Sequence, residues 1–189
     1  EPEYTLGVPN LEVRASLMEH LLSAYTNYPL STMSALGRQM LKQILAFDAK
    51  GFTNNMRKMF ADVPYTLKPS KAKNQAKAEA KNLANEAFYH IIFQLWMTML
   101  GFNIQSERMT NRGRIDAVLQ QDGVAIVTEL KYHATTETDT LLNQAIAQIR
   151  EKRYYEPFLD RKVILLGIAF SGKDVGCRIE QLEDKKIKN

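Results

Sequence analysis

The sequence predicts an α/β domain built on a mixed sheet with helices on its faces. Three observations predict it: an apolar, helix-length segment at residues 82–100, three short strand-like segments directly after it, and an amphipathic segment that leads into an apolar run at residues 161–170. Strands joined by tight turns pair antiparallel, whereas two strands separated by a helix pair in parallel through a right-handed crossover. With 189 residues, of which 45% are hydrophobic, the chain is long enough to bury a substantial core.

The N-terminal third predicts a helical subdomain over residues 1–66. Apolar residues recur at helical spacing between residues 11 and 60, as in Leu36, Met40 and Ile44, and we expect them to serve packing rather than chemistry. Residues 67–81 are rich in lysine and poor in apolar side chains, so they are predicted to be a basic linker or the start of a helix. Such a charge run is typical of a solvated helix face, and contact with phosphates is the alternative.

Residues 82–189 are predicted to form the sheet and the helices that cover it. The first helix, from Asn82, is expected to end at Gly101, and the Asp-Gly pair at residues 122–123 predicts a tight hairpin turn. A second helix is expected to run to about Tyr155. The expected strands are Phe102 to Arg108, Arg114 to Leu119, Val124 to Lys131, Arg161 to Phe170 and an edge strand from Cys177 to Leu182.

Two neighbouring strands are predicted to bring three charged side chains together. Glu129 and Lys131 are two residues apart, so both side chains point to the same face, and Asp116 lies on the strand before them. A solvated Glu-x-Lys ion pair is the ordinary alternative. This strand, however, is apolar on both faces, and buried charges need a partner or a metal. Carboxylates are the hard ligands that Mg²⁺ or Mn²⁺ accepts, so the pattern predicts metal-assisted phosphodiester hydrolysis.

This arrangement, Asp116 on one strand and Glu129-Leu130-Lys131 on the next, resembles the signature of the PD-(D/E)XK nuclease superfamily. The likeness covers nearly the whole chain, which resembles the nuclease-like domain found C-terminal to AAA-ATPase-like modules in bacterial proteins. The resemblance implies a restriction-endonuclease-like αβββαβ core at residues 82–189, joined through residues 1–66 to an ATPase-like module in the same polypeptide. The segments that carry it, besides the signature, are Tyr4 to Arg14, Glu86 to His90, Thr110 to Asp116, Gln144 to Tyr155 and Lys162 to Ile168.

The resemblance also implies a site for Mg²⁺ or Mn²⁺. Asp116 and Glu129 are the expected carboxylate ligands, and the main-chain carbonyl of Leu130 is a further expected ligand because hard cations accept main-chain oxygens. In several branches of the superfamily a glutamate on the first helix joins the site, which makes Glu86 the candidate third carboxylate. The alternative for Glu86 is a place in the N-terminal turn of the helix, where the helix dipole favours a negative charge.

The expected catalytic residues are Asp116, Glu129, Lys131, Glu86 and Gln148. Gln148 and Tyr154 together resemble a glutamine-tyrosine motif that many superfamily members carry beside the active site. Gln148 is expected to orient the attacking water or to bind the DNA backbone, and a surface glutamine is the alternative. Substrate contacts are expected from Arg114, Arg112, Tyr154 and His90. For His90 the alternative is a partly buried, hydrogen-bonded histidine.

The predicted function is a metal-dependent nuclease that acts on nucleic acid, with DNA as the expected substrate, as the effector domain of an ATPase-linked protein. The alternative is a catalytically silent nuclease-fold module that binds nucleic acid or a partner. A net charge of +4 favours contact with a polyanion without requiring it. Superfamily members often act as homodimers. A single cysteine, Cys177, and a sequence without signal peptide or membrane-spanning apolar run predict a cytoplasmic protein with no membrane association.

Overall fold

The computed structural model describes residues 30–61, 76–121, 123–172 and 174–182, which form four α-helices and five strands. The helices are α1 (Leu30–Leu45), α2 (Ala49–Ala61), α3 (Ala76–Met99) and α4 (Thr138–Glu151), with a short 3-10 helix at Glu156–Phe158. The strands are β1 (Asn103–Thr110), β2 (Gly113–Gln121), β3 (Val124–His133), β4 (Lys162–Ser171) and β5 (Asp174–Gln181). None of these four helices is long and apolar enough to cross a membrane.

The five strands form one mixed sheet in the order β1-β2-β3-β4-β5. β1 pairs with β2, β2 with β3, and β4 with β5 in antiparallel fashion, whereas β3 and β4 are parallel and are connected through α4. The predicted mixed sheet and its helical crossover are thereby confirmed. β3 is the central strand, which explains why the residues from Ala125 to Leu130 are all buried.

Helices cover both faces of the sheet, and an apolar core lies on each side. On one face α1, α2 and α3 share a buried cluster with the sheet, in which Phe52 and Phe93 are fully buried. Burying one such side chain stabilises the fold by about 1.5 to 3 kcal/mol. On the other face α4 packs over β3 and β4, and the segment after it adds Tyr154 and Phe158 to a second cluster. The division of the chain near residue 66 stays a prediction.

The N-terminal boundary of α3 lies inside the segment 67–81, for which the sequence predicts a basic linker or the start of a helix. The helix begins at Ala76 rather than at Asn82, so residues 76–81 are the start of the helix. The rest of that linker belongs to residues 62–75, which lie outside the described residues, as do residues 11–29 of the predicted N-terminal helices.

The C-terminal boundary of α4 also differs, because the helix ends before Tyr154 and Tyr155. Arg153 has a left-handed backbone with φ of 51°, and the amide of Tyr154 bonds back to the carbonyl of Ile149 at 3.1 Å. This is the Schellman pattern of helix termination, which usually places glycine where Arg153 stands. The apolar spacing continues past the true end of the helix, so periodicity gave no warning of it.

β2 and β3 separate part of the way along their length. Among the described residues their ladder ends at the pair Ala117↔Thr128. Beyond that pair β2 continues alongside β1, and β3 continues alongside β4 as far as His133. The next residues on the two strands, Asp116 and Glu129, therefore stand at the base of a fork in the sheet.

Candidate active site

The fork brings together the charged residues that the sequence singles out. By strand alternation Glu129 and Lys131 point to the same face as Ala125 and Val127, which belong to the cluster under α4. Asp116 stands across the fork from Glu129, because each is the next residue after the last paired one. The charge of Asp116 acts on both Glu129 and Lys131. The three side chains therefore lie within electrostatic reach of one another.

Asp116 is held from two directions. Its Oδ2 accepts a hydrogen bond from the main-chain N–H of Leu130 at 2.8 Å, and its main-chain carbonyl accepts one from Nε2 of His90 at 2.9 Å. The N–H and C=O of a strand residue point to the same side of the strand, so the carbonyl of Leu130 also faces the fork. His90 is half-buried and hydrogen-bonded, which agrees with the alternative prediction of a partly buried, hydrogen-bonded histidine. Its contact with substrate stays a prediction.

Glu129 is a buried carboxylate with one unpartnered oxygen. Its Oε1 accepts a hydrogen bond from Nζ of Lys131 at 2.7 Å, and the Lys131 and Glu129 side chains are 20% and 1% exposed. Its Oε2 has no hydrogen-bond partner among the described residues. Leaving a buried polar atom unsatisfied costs about 1 to 3 kcal/mol, and more for a charged one. An oxygen in this situation favours the approach of a positively charged ligand.

Burial and neighbouring charges shift the pKa values of this pair. Burial raises the pKa of Glu129 from 4.5 to about 7, with Asp116 and Glu86 acting in the same direction and Lys131 against it. Burial by itself acts to lower the pKa of Lys131, but Glu129, Asp116 and Glu86 together raise it above its ordinary value. Negative charge is therefore concentrated at the fork, and Lys131 carries the positive charge that partly offsets it.

Glu86 approaches the fork from the opposite layer, on α3. It lies well inside the helix, which begins at Ala76, so the alternative of an N-terminal-turn glutamate is wrong. Burial raises its pKa, Lys131 acts to lower it, and Asp116 raises it further. Within the described ranges, no three His, Cys, Asp or Glu side chains are close enough to hold a metal between them. Direct metal binding by Glu86 therefore stays a prediction.

Gln148 and Tyr154 reach the site from the α4 layer. Burial raises the pKa of the Tyr154 hydroxyl, the hydrogen bond with Gln148 acts to lower it, and the charges of Glu129 and Asp116 act to raise it. Gly113, at the start of β2, lies directly against this hydroxyl. A Cβ at Gly113 would stand 2.8 Å from the Tyr154 oxygen, and the φ of 137° there also favours glycine.

The two predicted substrate arginines lie on the β1–β2 hairpin at the open side of the fork. Arg112 forms an ion pair with Glu156, with Nε and Oε2 3.3 Å apart, and the guanidinium of Arg108 lies 4.7 Å from the ring centroid of Phe158. These contacts dock the hairpin onto the segment after α4. Arg114 is exposed on β2, two residues before Asp116.

The residues at the fork fit a hard divalent cation. Mg²⁺ usually takes one or two carboxylates and completes its octahedral shell with waters and substrate phosphates, rather than with an all-protein cage. Asp116 and Glu129, together with the carbonyl of Leu130, offer such an oxygen set. The unpartnered Oε2 of Glu129 is the structural observation that supports the fit.

The sequence analysis missed Asn85, which ties α3 to the strand that carries Lys131. Asn85 is 6% exposed, and its Nδ2 donates a hydrogen bond to the hydroxyl of Tyr132 at 2.8 Å. Tyr132 in turn stacks on Tyr89, with ring centroids 5.3 Å apart. Asn85 and Tyr89 are one helical turn apart, and this spacing beside Glu86 was the signal available in the sequence.

Comparisons with known proteins agree with this geometry. A family model described as the PD-(D/E)XK nuclease superfamily matches residues 84–180, about half of the chain, a range that includes the fork. A protein of Azotobacter chroococcum mcd 1, named "Uncharacterized protein in vnfD 5'region", is 32% identical over 187 residues. That alignment covers 96% of this chain and 34% of the relative, so the chain spans about a third of the relative's length.

The raised pKa of Glu129 predicts a pH-dependent effect of Glu129→Gln on stability in the absence of divalent cations. An acid with a folded-state pKa of about 7 and an unfolded value of 4.5 contributes stability that is complete below pH 4.5 and lost as the pH rises through 7. Relative to wild type, the variant should gain on the order of 2 kcal/mol in unfolding free energy between pH 5 and pH 8. Urea denaturation at both pH values in EDTA measures this.

Glu151→Gln is the matched control for that experiment, because Glu151 is an exposed carboxylate on α4. The change in its effect between the two pH values gives the baseline for the experiment. A change for Glu129→Gln that is no larger than this baseline would contradict the raised pKa.

The contact between Gly113 and Tyr154 predicts a coupling between two substitutions. Gly113→Ala should lower the unfolding free energy by about 2 kcal/mol or more, because of the backbone strain and the Cβ contact with the Tyr154 hydroxyl. In a Tyr154→Phe background the nearest ring atom is 3.6 Å away, so the additional loss should be about 1 kcal/mol smaller. Urea denaturation of the four proteins of this double-mutant cycle tests it, and strictly additive losses would show that no such contact exists.

Proposed function

Because the chain belongs to the PD-(D/E)XK nuclease superfamily, we propose that it is a metal-dependent nuclease that hydrolyses phosphodiester bonds of nucleic acid. Members of this superfamily usually hydrolyse such bonds and generally use divalent metals. The five-stranded mixed sheet with helices on both faces is a restriction-endonuclease-like α/β fold, as predicted. Every side chain proposed for catalysis lies in the matched region.

The observation that carries the proposal is the buried carboxylate of Glu129, paired with Lys131 through one oxygen and unpartnered at the other. In an ion pair that serves only the fold, buried polar atoms are normally all hydrogen-bonded. A buried ion pair is also weak support for stability, since desolvation often costs more than the attraction returns. The arrangement is therefore better explained by chemistry than by folding, which favours an enzyme over a catalytically silent binding module.

In the proposed site, Asp116, Glu129 and the carbonyl of Leu130 hold Mg²⁺, for which Mn²⁺ can substitute. When bound, the cation supplies Lewis-acid stabilisation of the phosphate and makes water more acidic. The protein supplies preorganisation. The N–H of Leu130 fixes the carboxylate of Asp116 and the ammonium of Lys131 fixes that of Glu129, so neither ligand has to be reoriented during the reaction.

Lys131 acts as a hydrogen-bond donor and a positive charge. In the absence of a bound cation the surrounding carboxylates raise the pKa of Lys131, and we propose that it acts as a charged donor rather than as a base. Its ammonium can hydrogen-bond the attacking water and offset the negative charge that builds up at the phosphate in the transition state. Glu86, whose charge acts on Lys131, is the proposed third carboxylate. Gln148 and Tyr154 are proposed to orient the water or a neighbouring phosphate.

DNA is the proposed substrate. Arg112 and Arg114 lie on the hairpin beside the fork, and the chain has a net charge of +4, both of which favour a polyanion. The relative with which the chain aligns is about three times as long, in keeping with a domain that works within a larger polypeptide. An ATPase-like module in the same polypeptide, a homodimeric assembly and a cytoplasmic location remain parts of the proposal.

Two substitutions separate metal binding from cleavage. Asp116→Ala removes a metal ligand, so the variant should lose both Mn²⁺ binding and DNA cleavage. Lys131→Ala removes the donor but no ligand, so it should retain Mn²⁺ binding within a few fold and lose cleavage by about a hundredfold or more. Mn²⁺ titration followed by electron paramagnetic resonance measures the first property, and Mn²⁺-dependent cleavage of single- and double-stranded DNA measures the second.

Asp160→Ala and Lys50→Ala are the matched controls, since both residues are exposed and distant in sequence from the fork residues. They should bind Mn²⁺ and cut DNA as the wild type does. Equal cleavage by wild type and Asp116→Ala would contradict the assignment of Asp116 as a catalytic metal ligand. If neither protein cuts DNA in any divalent metal, the result would favour the catalytically silent binding module.

A further inference from the structure

The face of β3 that carries Glu129 and Lys131 ends with a third polar residue, His133. β3 remains paired with β4 as far as His133↔Ser171, so the alternation of side chains continues to the end of the strand. His133 therefore points to the same face as Glu129 and Lys131. It is half-buried, and it lies about 6.6 Å along the strand from Lys131 at roughly 3.3 Å per residue.

The turn that follows β3 fixes the tautomer of His133. The main-chain N–H groups of Thr135 and Thr136 point at Nδ1 at 3.3 and 3.1 Å, and the hydroxyl of Thr136 lies 2.7 Å from the same atom. Main-chain amides can only donate, so Nδ1 must accept and the ring proton belongs to Nε2. The turn is itself anchored, because Oγ of Ser171 donates to the carbonyl of Thr136 at 2.6 Å.

The Nε2–H of His133 is thus a donor with a set direction. It lies on the ring edge remote from the turn that binds Nδ1, and among the described residues it has no hydrogen-bond partner. His133 lies two residues beyond Lys131 on β3, on the face of the strand that carries Glu129 and Lys131. A half-buried donor at this place is suited to hydrogen-bond a phosphate oxygen. Its distance along β3 from Lys131 is of the order of the spacing between neighbouring phosphates in a nucleic-acid strand.

We propose that His133 binds a non-scissile backbone phosphate of the nucleic acid through Nε2–H and so sets the register of the strand against Lys131. This inference rests on the proposed nuclease function and adds a substrate-binding residue to it. The role is one of positioning by contact with substrate, with no part in proton transfer. Such a contact is made equally in the ground state and in the transition state, so its removal should raise KM and leave kcat nearly unchanged.

A pair of isosteric substitutions separates this role from a purely structural one. In His133→Asn the amide oxygen takes the place of Nδ1, so the turn keeps its acceptor while the remote donor is lost. In His133→Gln the amide nitrogen takes the place of Nε2, so the donor is kept while the acceptor at Nδ1 is lost. The two variants therefore remove opposite halves of the imidazole.

The test measures KM and kcat for Mn²⁺-dependent cleavage of a labelled DNA oligonucleotide, and Tm, for wild type and both variants. His133→Asn should keep the wild-type Tm and show a KM raised about tenfold or more, as expected for the loss of a hydrogen bond to a charged group. His133→Gln should show a lower Tm with a KM within about threefold of wild type.

The opposite pattern, a wild-type KM in His133→Asn and a raised KM in His133→Gln, would assign His133 to the turn alone and overturn the proposal. A wild-type KM in both variants would also overturn it. If the wild type cuts DNA in either of these cases, the nuclease function survives and only the role of His133 fails. If the wild type cuts neither single- nor double-stranded DNA in any divalent metal, both proposals fail together.

Discussion

The separation of β2 from β3 after the pair Ala117↔Thr128 is the constraint on which the rest of the site depends. A continued ladder would bond the main chains of the two strands to each other and leave their polar side chains to solvent or to the helices. Because the strands part, the side chain of Asp116 takes over the N–H of Leu130, and the space between the strands is lined by oxygens. A side-chain hydrogen bond thereby satisfies a main-chain donor that the open end of the ladder would otherwise leave without a partner.

The groups that form and contact the fork come from three layers of the fold. The main chain of Asp116 is bonded to His90 on α3, Glu129 and Lys131 stand on the central strand, and Tyr154 lies on the α4 side with Gln148. Movement of any one layer would therefore change the electrostatic environment of the others. Such preorganisation is what an enzyme needs to stabilise charge that develops during a reaction. It also explains why a buried acid with a raised pKa is tolerated in an otherwise apolar strand.

The sequence predicted the parts of the fold that depend on local pattern. Period-two alternation correctly put Glu129 and Lys131 on one face, and the apolar run that follows α4 correctly predicted β4 beside β3. The structure differs from the sequence-based prediction where a single backbone conformation or a contact between residues distant in sequence determines where an element ends. Arg153 ends α4 in a left-handed conformation that most non-glycine residues avoid, and no periodicity reports it.

The contacts that surround the site could not be predicted from the sequence either. The space that Gly113 leaves for the Tyr154 hydroxyl joins residues 41 positions apart, and the place of Glu86 inside α3 depends on a helix start in a lysine-rich segment. The fork itself is a tertiary feature, since both strands continue beyond it with other partners. The resemblance to the nuclease superfamily implied roles for Asp116, Glu129 and Lys131. The hydrogen bonds and charges at the fork give physical reasons for those roles.

The most direct measurement is the anomalous difference density of a crystal of this protein soaked in Mn²⁺. A peak between the carboxylates of Asp116 and Glu129, within bonding distance of the Leu130 carbonyl and absent from crystals of Asp116→Ala, is the predicted result. No peak in the fork at Mn²⁺ concentrations that saturate binding in solution, or a peak bound only by other residues, would contradict the proposed metal centre.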